Sequence, residues 1–273
     1  MPVLWLCLDG IGHPEDAPAD SCWDQDLPVL RSLIDAGQKV DARLGVEGLP
    51  QSGTGQTSIV TGINAAKHMG RHYGPVPGPT IKPLIRDHST PVLLTRAGGT
   101  LKLLNFYPPT YAPPGGKHGA IVQSVLDAGE ILNPEGFPSI RPSLGMHYQA
   151  PYEPYLPLNE IRAWGRAAAR AAREVDLVML DLWFSDFIGH AQDAVAARNY
   201  LIHLNAFLEG AVEHEVRIFM TSDHGNMEDT NIKTHTFARV PFVSAGFEAS
   251  EVRDIAEAGA EIKKLLGLAS SEG

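Results

Sequence analysis

The sequence predicts an α/β fold: a doubly wound, mostly parallel sheet with helices on both faces and a small inserted cap. Three observations lead there. Short, almost unbroken apolar runs at Val3–Leu8 and Leu177–Leu182 read as strands buried on both faces. Helical patterns alternate with such runs at both ends of the chain. Between them, residues 71–157 are dense in proline and glycine, as in Gly74-Pro75-Val76-Pro77-Gly78-Pro79 and Pro113-Pro114-Gly115-Gly116. Leu, Phe and Tyr recur through that stretch, so it reads as packed rather than disordered.

In order, Val3–Leu8 is a strand that ends at Asp9-Gly10, and Leu27–Asp35 is a helix stopped by Gly37. Val40–Leu44 is expected as a second strand. Gly53–Gly62 is expected as a Gly-rich turn running into a helix through Ser58-Ile59-Val60-Thr61. The insert holds short elements at Leu101–Phe106 and Gly119–Ala128. Helix Leu158–Glu174 precedes strand Leu177–Leu182, and Ala194–His214 is a long helix. Arg217–Met220 is a strand running into Asp223-His224-Gly225, Val240–Ser244 a further strand, and Glu251–Leu266 a closing helix.

The chain has 273 residues, enough for one large α/β domain with a modest insert. Its net charge of -10 argues against general binding of nucleic acid or an anionic membrane, though bound cations would reverse that sign locally. Cys7 and Cys22 are the two cysteines, too few for a disulfide framework or a cysteine zinc site. The N-terminus lacks a basic region and a signal-length apolar run, and no segment is long enough to span a bilayer, so a cytoplasmic location is expected.

Residues able to bind metal collect where strands end. Asp9 follows the first strand. Asp186-Phe187-Ile188-Gly189-His190 follows the strand ending near Leu182. Asp223-His224 follows the strand ending near Met220, and His235 precedes Val240. In a doubly wound sheet the carboxyl ends of the strands border one crevice, so segments far apart in sequence converge there. Carboxylate oxygen together with imidazole nitrogen suits Zn, Mn or Fe, and clustered acids need cations to offset their repulsion. Singly, each residue has an ordinary structural reading: a capping Asp, a surface Asp/His pair, a turn, a buried histidine. Agreement in order, placement and chemical type favours a metal site.

The set resembles the alkaline-phosphatase superfamily, most closely its cofactor-independent phosphoglycerate mutase and phosphopentomutase branch. The matching residues are Leu8-Asp9-Gly10, Asp186-x-x-Gly189-His190, Asp223-His224-Gly225-Asn226 and His235-Thr236-x-x-x-Val240-Pro241-Phe242. The resemblance implies an alkaline-phosphatase-like core of residues 1–70 and 158–273, with 71–157 as the insert. It implies two divalent cations, Mn or Zn. One is held by Asp9, Asp223, His224 and a nucleophile, the other by Asp186, His190 and His235. The family places a Ser or Thr nucleophile at the start of a helix, which here means Ser52 or Thr54. Matching Thr57-Ser58-Ile59-Val60-Thr61-Gly62 to the helix that follows the nucleophile puts Ser52 in that role.

The mutases carry a large second domain with several arginines where this chain has only residues 71–157. Arg71 and His72, close to the nucleophile helix, are the expected substrate contacts. The short insert favours hydrolysis of a small phosphate monoester over mutase chemistry. A phosphomutase, a phosphodiesterase and a non-catalytic metal-binding protein are the alternatives. No Cys-x-Pro-x-Arg motif supports a sulfatase. Oligomeric state is left open.

Overall fold

The structure, a computed structural model, describes residues 2–108, 110–111 and 116–268. The Pro113-Pro114-Gly115 part of the insert lies outside the described residues. Among the described residues, sixteen α-helices and β-strands follow in chain order: β1 (Val3–Leu8), α1 (Pro28–Asp35), β2 (Gln38–Val40), α2 (Ser52–Thr61), α3 (Ala65–Met69), α4 (Lys82–His88), α5 (Thr90–Arg96), β3 (Leu101–Leu103), α6 (Ala120–Asp127), α7 (Leu158–Ala171), β4 (Leu177–Leu182), α8 (Phe184–Ala191), α9 (Ala194–Val212), β5 (Arg217–Ser222), β6 (Val240–Ala245) and α10 (Ile255–Leu265). Among the described residues no helix is long and apolar enough to cross a membrane.

The strands form one mixed sheet in the order β2-β6-β5-β1-β4-β3. β1 pairs in parallel with β4 and β5, and β3 in parallel with β4. Side chains alternate across a strand, so each apolar run feeds two cores. Leu4, Leu6 and Leu8 of β1 join Val178, Leu180 and Leu182 of β4 on one face, under Leu30, Ile161, Phe184 and Tyr200 of the helices. Val3, Trp5 and Cys7 face the other way, with Leu177 and Met179, under Ile59, Val60, Ile121 and Ile262. This double burial is why the central strands read as unbroken apolar runs.

The structure sharpens the sequence expectations in three places. The second strand is Gln38–Val40 rather than Val40–Leu44, because the chain turns at Leu44 and Gly45, with φ of 57° and 67°. β6 runs antiparallel to β5 and β2 antiparallel to β6. No helix crossover separates β5 from β6, so the chain returns directly along the sheet edge. The third concerns the insert, which packs into the core. Its β3 extends the sheet, and Leu101, Leu103, Ile121 and Val125 join the second core. Its prolines mislead in part: those of α4 and α5 sit in the first helical turn, where the missing N–H has no partner to lose.

Candidate metal centre

The parallel register sets the site. Leu8 lies level with Leu182 and Ser222, so β1, β4 and β5 end together and Asp9 and Asp223 emerge side by side. Because β6 is antiparallel, its beginning shares that edge with the end of β5. His235, just ahead of β6, therefore returns to the residues that follow β5, and Thr236 N donates to Gly225 O at 2.9 Å. Asp186 and His190 stand one turn apart on α8, directly after β4.

Ligand-type atoms gather in two adjoining clusters, Asp9/Asp223/His224 and Asp186/His190/His235, each with its atoms within 4.8 Å of one another. In the first, His224 Nε2 lies 3.4 Å from Asp9 Oδ1, 3.6 Å from Asp223 Oδ2 and 3.0 Å from Ser52 Oγ. In the second, Asp186 faces His190 Nε2 at 3.3 Å and His235 Nε2 at 3.5 Å. The His224 and His235 rings stack at 3.7 Å and join the two clusters.

The residues fit divalent cations. Asp9 Oδ1 and Asp223 Oδ2 are buried without any hydrogen-bond donor, and both face His224 Nε2. Such orphan oxygens are costly unless a positive charge completes them. His190 Nδ1 lies 2.8 Å from Lys233 O, and His235 Nδ1 lies 2.6 Å from Pro50 O. A carbonyl only accepts, so each Nδ1 carries a proton and Nε2 is the nitrogen each ring would offer to a cation. The two Nε2 atoms sit 3.2 Å apart, close enough for one cation to take both.

Electrostatics agree. Burial, and then Asp223, holds Asp9 well above the usual carboxylate range. Burial, and then Asp186, pushes Asp223 up to about 7. Burial lowers His224 to about 4 and also lowers His235, with His224 adding to the second shift. For Asp186 burial acts upward but is outweighed by the hydrogen bond from His190 and the nearby histidines, leaving it below its ordinary value.

Ser52 is the first residue of α2, and Gln51 ahead of it makes no side-chain cap. The expected Gly-rich turn is thus the helix itself. Gly55 is required there, since a Cβ would come within 2.8 Å of Asp223 O. Thr54 points elsewhere: its hydroxyl donates to Gln51 O at 3.2 Å and accepts from Tyr73 N at 3.2 Å. Arg71 stacks on Tyr73 at 5.8 Å and His72 lies against the loop at Gly48, so neither expected substrate contact lines the cleft.

Three supporting residues escaped sequence reasoning. Gln56 Nε2 donates to Asp9 Oδ2 at 2.9 Å. Asn226 Nδ2 donates to Asp186 Oδ1 at 2.6 Å. Buried Glu228 accepts from Gly12 N at 2.9 Å, Asn226 N at 2.8 Å and the Thr236 hydroxyl, binding together the loops after β1 and β5 and before β6. Asn226 sat within a recognised motif; Gln56 and Glu228 had no signal beyond residue type.

A family model described as Metalloenzyme superfamily matches residues 157–267, which hold Asp186, His190, Asp223, His224 and His235. No curated protein sequence matches the chain. Among solved structures, alkaline phosphatase from the Antarctic bacterium TAB5 is 12% identical, with a TM-score of 0.59, over 99% of this chain and 100% of its own. A cold-active alkaline phosphatase from Shewanella sp. is 11% identical at a TM-score of 0.55, over 97% and 100%. Phosphonate monoester hydrolase of Agrobacterium radiobacter is 11% identical at 0.54, over 98% and 74%. At these identities the likeness is one of fold: the chain has an alkaline-phosphatase-like α/β architecture.

Proposed function

We propose that this protein is a metal-dependent hydrolase of phosphate monoesters that works through a phosphorylated Ser52. The observation that carries the reading is Ser52 Oγ at the start of α2, 3.0 Å from His224 Nε2 and among the orphan oxygens of Asp9 and Asp223. Asp9, Asp223, His224 and Ser52 would hold one divalent cation, and Asp186, His190 and His235 a second. Three carboxylates and three imidazoles form a mixed donor set suited to Mn or Zn. When bound, the cations would supply Lewis acidity, lowering the Ser52 hydroxyl pKa and offsetting phosphate charge.

The chain's own groups do the rest. The N-terminus of α2, where Thr54 N is already bonded to Tyr73 O, offers its dipole to a phosphate lying on Ser52. Ser52 Oγ, its proton lost to solvent, forms the new O–P bond as the ester O–P bond breaks, and the leaving oxygen takes a proton from water. Water then attacks the phosphoserine, releasing phosphate and restoring the hydroxyl. Gln56, Asn226, Pro50 O and Lys233 O orient the carboxylates and rings, leaving little reorganisation to the reaction step.

Lys233 is the sole Lys or Arg among the described residues lining the cleft, which supports hydrolysis over the retention and turning of a multiply charged fragment. The test is metal-free protein reloaded with Mn or Zn and offered phosphomonoesters and diesters. Phosphate release from monoesters is the expected result. Isomer formation without phosphate would make the protein a mutase, preference for diesters a phosphodiesterase, and no turnover at full metal occupancy a metal-binding protein.

A further inference from the structure

The cleft has two lobes that meet on Ser52, Pro75, Asp186 and His190. One, of about 460 Å³, is lined by Gln51, Lys233, Thr234 and His235. The other, of about 360 Å³, is lined by Asp9 and Gln56 and by three aromatic residues, Tyr111, Trp183 and Phe187. Phe187 is 44% exposed and Tyr111 38%. Their position follows from helical phase. Trp183, Asp186, Phe187 and His190 are spaced i, i+3, i+4, i+7 and so share one face of α8, the N-cap residue Trp183 already having helical dihedrals. The opposite face, Phe184, Ser185, Ile188 and Gly189, is buried. α8 thus turns aromatic rings and metal-ligand types together into the cleft.

Each of the three rings is braced by a second ring. Tyr107 packs on Tyr111 at 4.5 Å, Tyr148 stacks on Trp183 at 5.6 Å and 22°, and Tyr152 meets Phe187 edge-on at 5.7 Å. Braced rings have little rotamer freedom left to lose on binding. The titratable acid and imidazole groups of this lobe are Asp9, Asp181, Asp186 and His190, and among the described residues no Lys or Arg lines it. A carboxylate or second phosphate on the leaving group would find no partner there.

We infer that this lobe is the leaving-group subsite and takes a flat, uncharged aromatic or heteroaromatic group, so that the substrates are phosphate monoesters of aromatic alcohols rather than phosphorylated sugars or acids. The inference rests on the hydrolase reading for the reaction and on the rings for the specificity. The two are separated by measuring binding and turnover independently. Benzylphosphonate and butylphosphonate, which share a headgroup and are not hydrolysed, are titrated calorimetrically into the Mn-loaded protein. Benzyl phosphate, butyl phosphate and glycerol phosphate are compared in turnover.

Benzylphosphonate should bind roughly ten-fold more tightly than butylphosphonate, the size expected of one good aromatic contact. Phe187→Leu and Tyr111→Leu, which keep apolar bulk and remove the ring, should each bring that ratio below about three, and the kcat/KM preference for benzyl phosphate should fall with it, chiefly through KM. Equal phosphonate affinities, or a ratio unchanged in both variants, would overturn the subsite with the hydrolase reading intact. A phosphonate preference that persists while no ester is turned over would overturn the hydrolase reading and support the subsite.

Discussion

Gln56 Nε2 lies 2.9 Å from Asp9 Oδ2, reaching it from one helical turn beyond Ser52. The same helix therefore presents the proposed nucleophile and holds the carboxylate beside it. Of the two Asp9 oxygens, Oδ2 is occupied by Gln56 and Oδ1 is the one without a donor.

Gln56→Ala should release Asp9 and weaken the first cation site. The expected loss is about 10- to 100-fold in affinity for Mn or Zn at that site, the usual effect of deleting a group that orients a ligand. Calorimetric titration of the metal-free variant reads this directly. Wild-type affinity at both sites would remove Gln56 from the centre.

Ser52→Ala should keep the fold and most metal binding and lose turnover by at least about 1000-fold, since no covalent intermediate can form. Thr54→Ala should leave phosphate on Ser52 and act on stability instead. It strips Tyr73 N of its hydrogen-bond acceptor, worth about 1–2 kcal/mol. Acid-quenched protein mapped by mass spectrometry decides between them, and phosphate found on Thr54 would reverse the assignment.

Metal-free protein should gain stability as pH falls from 8 to about 6.5. Burial, with Asp223 adding to it, raises Asp181 to about 7, and burial with Asp186 does the same to Asp223. In this window the folded state binds more protons than the unfolded chain, whose carboxylates stay ionised, so ΔG of unfolding rises as pH drops. Below pH 6.5 the gain from these carboxylates continues, opposed in part by His224. His224, held at about 4, stays neutral when folded while unfolded histidines take up protons. Melting curves in chelator should show the melting temperature falling as pH rises through 7. Loading with Mn or Zn should flatten the alkaline side by neutralising the carboxylates. A melting temperature that climbs steadily to pH 8 without metal would contradict the burial of these acids.

Gly165→Ala tests packing away from the centre. α7 and α9 cross so closely that a Cβ at Gly165 would collide with Phe207 O, and one at Gly210 with Arg162 O. Backbone has no rotamer to yield, so the substitution should cost about 1–3 kcal/mol with metal stoichiometry unchanged. Thermal or urea unfolding checks the first part and elemental analysis the second.

The sequence by itself determined the central strands and the strand-end residues. Apolar runs broken by Asp9, Asp223 and the Asp186/His190 pair mark where buried strands end, and burial on both faces is a local signal readable without coordinates. Other features needed through-space distances. A turn was expected at Gly53, which left the helical phase of that segment unset. Once α2 begins at Ser52, Thr54 lies about 200° around the helix and Gln56 about 40°, at ~100° per residue, so one turns away from the centre and the other returns to it. Arg71 and His72 were near the nucleophile in sequence, but His72 lies against the Arg43–Gly48 loop and Arg71 over the Tyr73 ring. The insert's place in the sheet, the antiparallel return of β6 that delivers His235, and the aromatic lobe beside Ser52 were decided by tertiary structure alone. Each depends on which residues distant in sequence come to share an edge or a helix face, and a single sequence carries no local pattern for that.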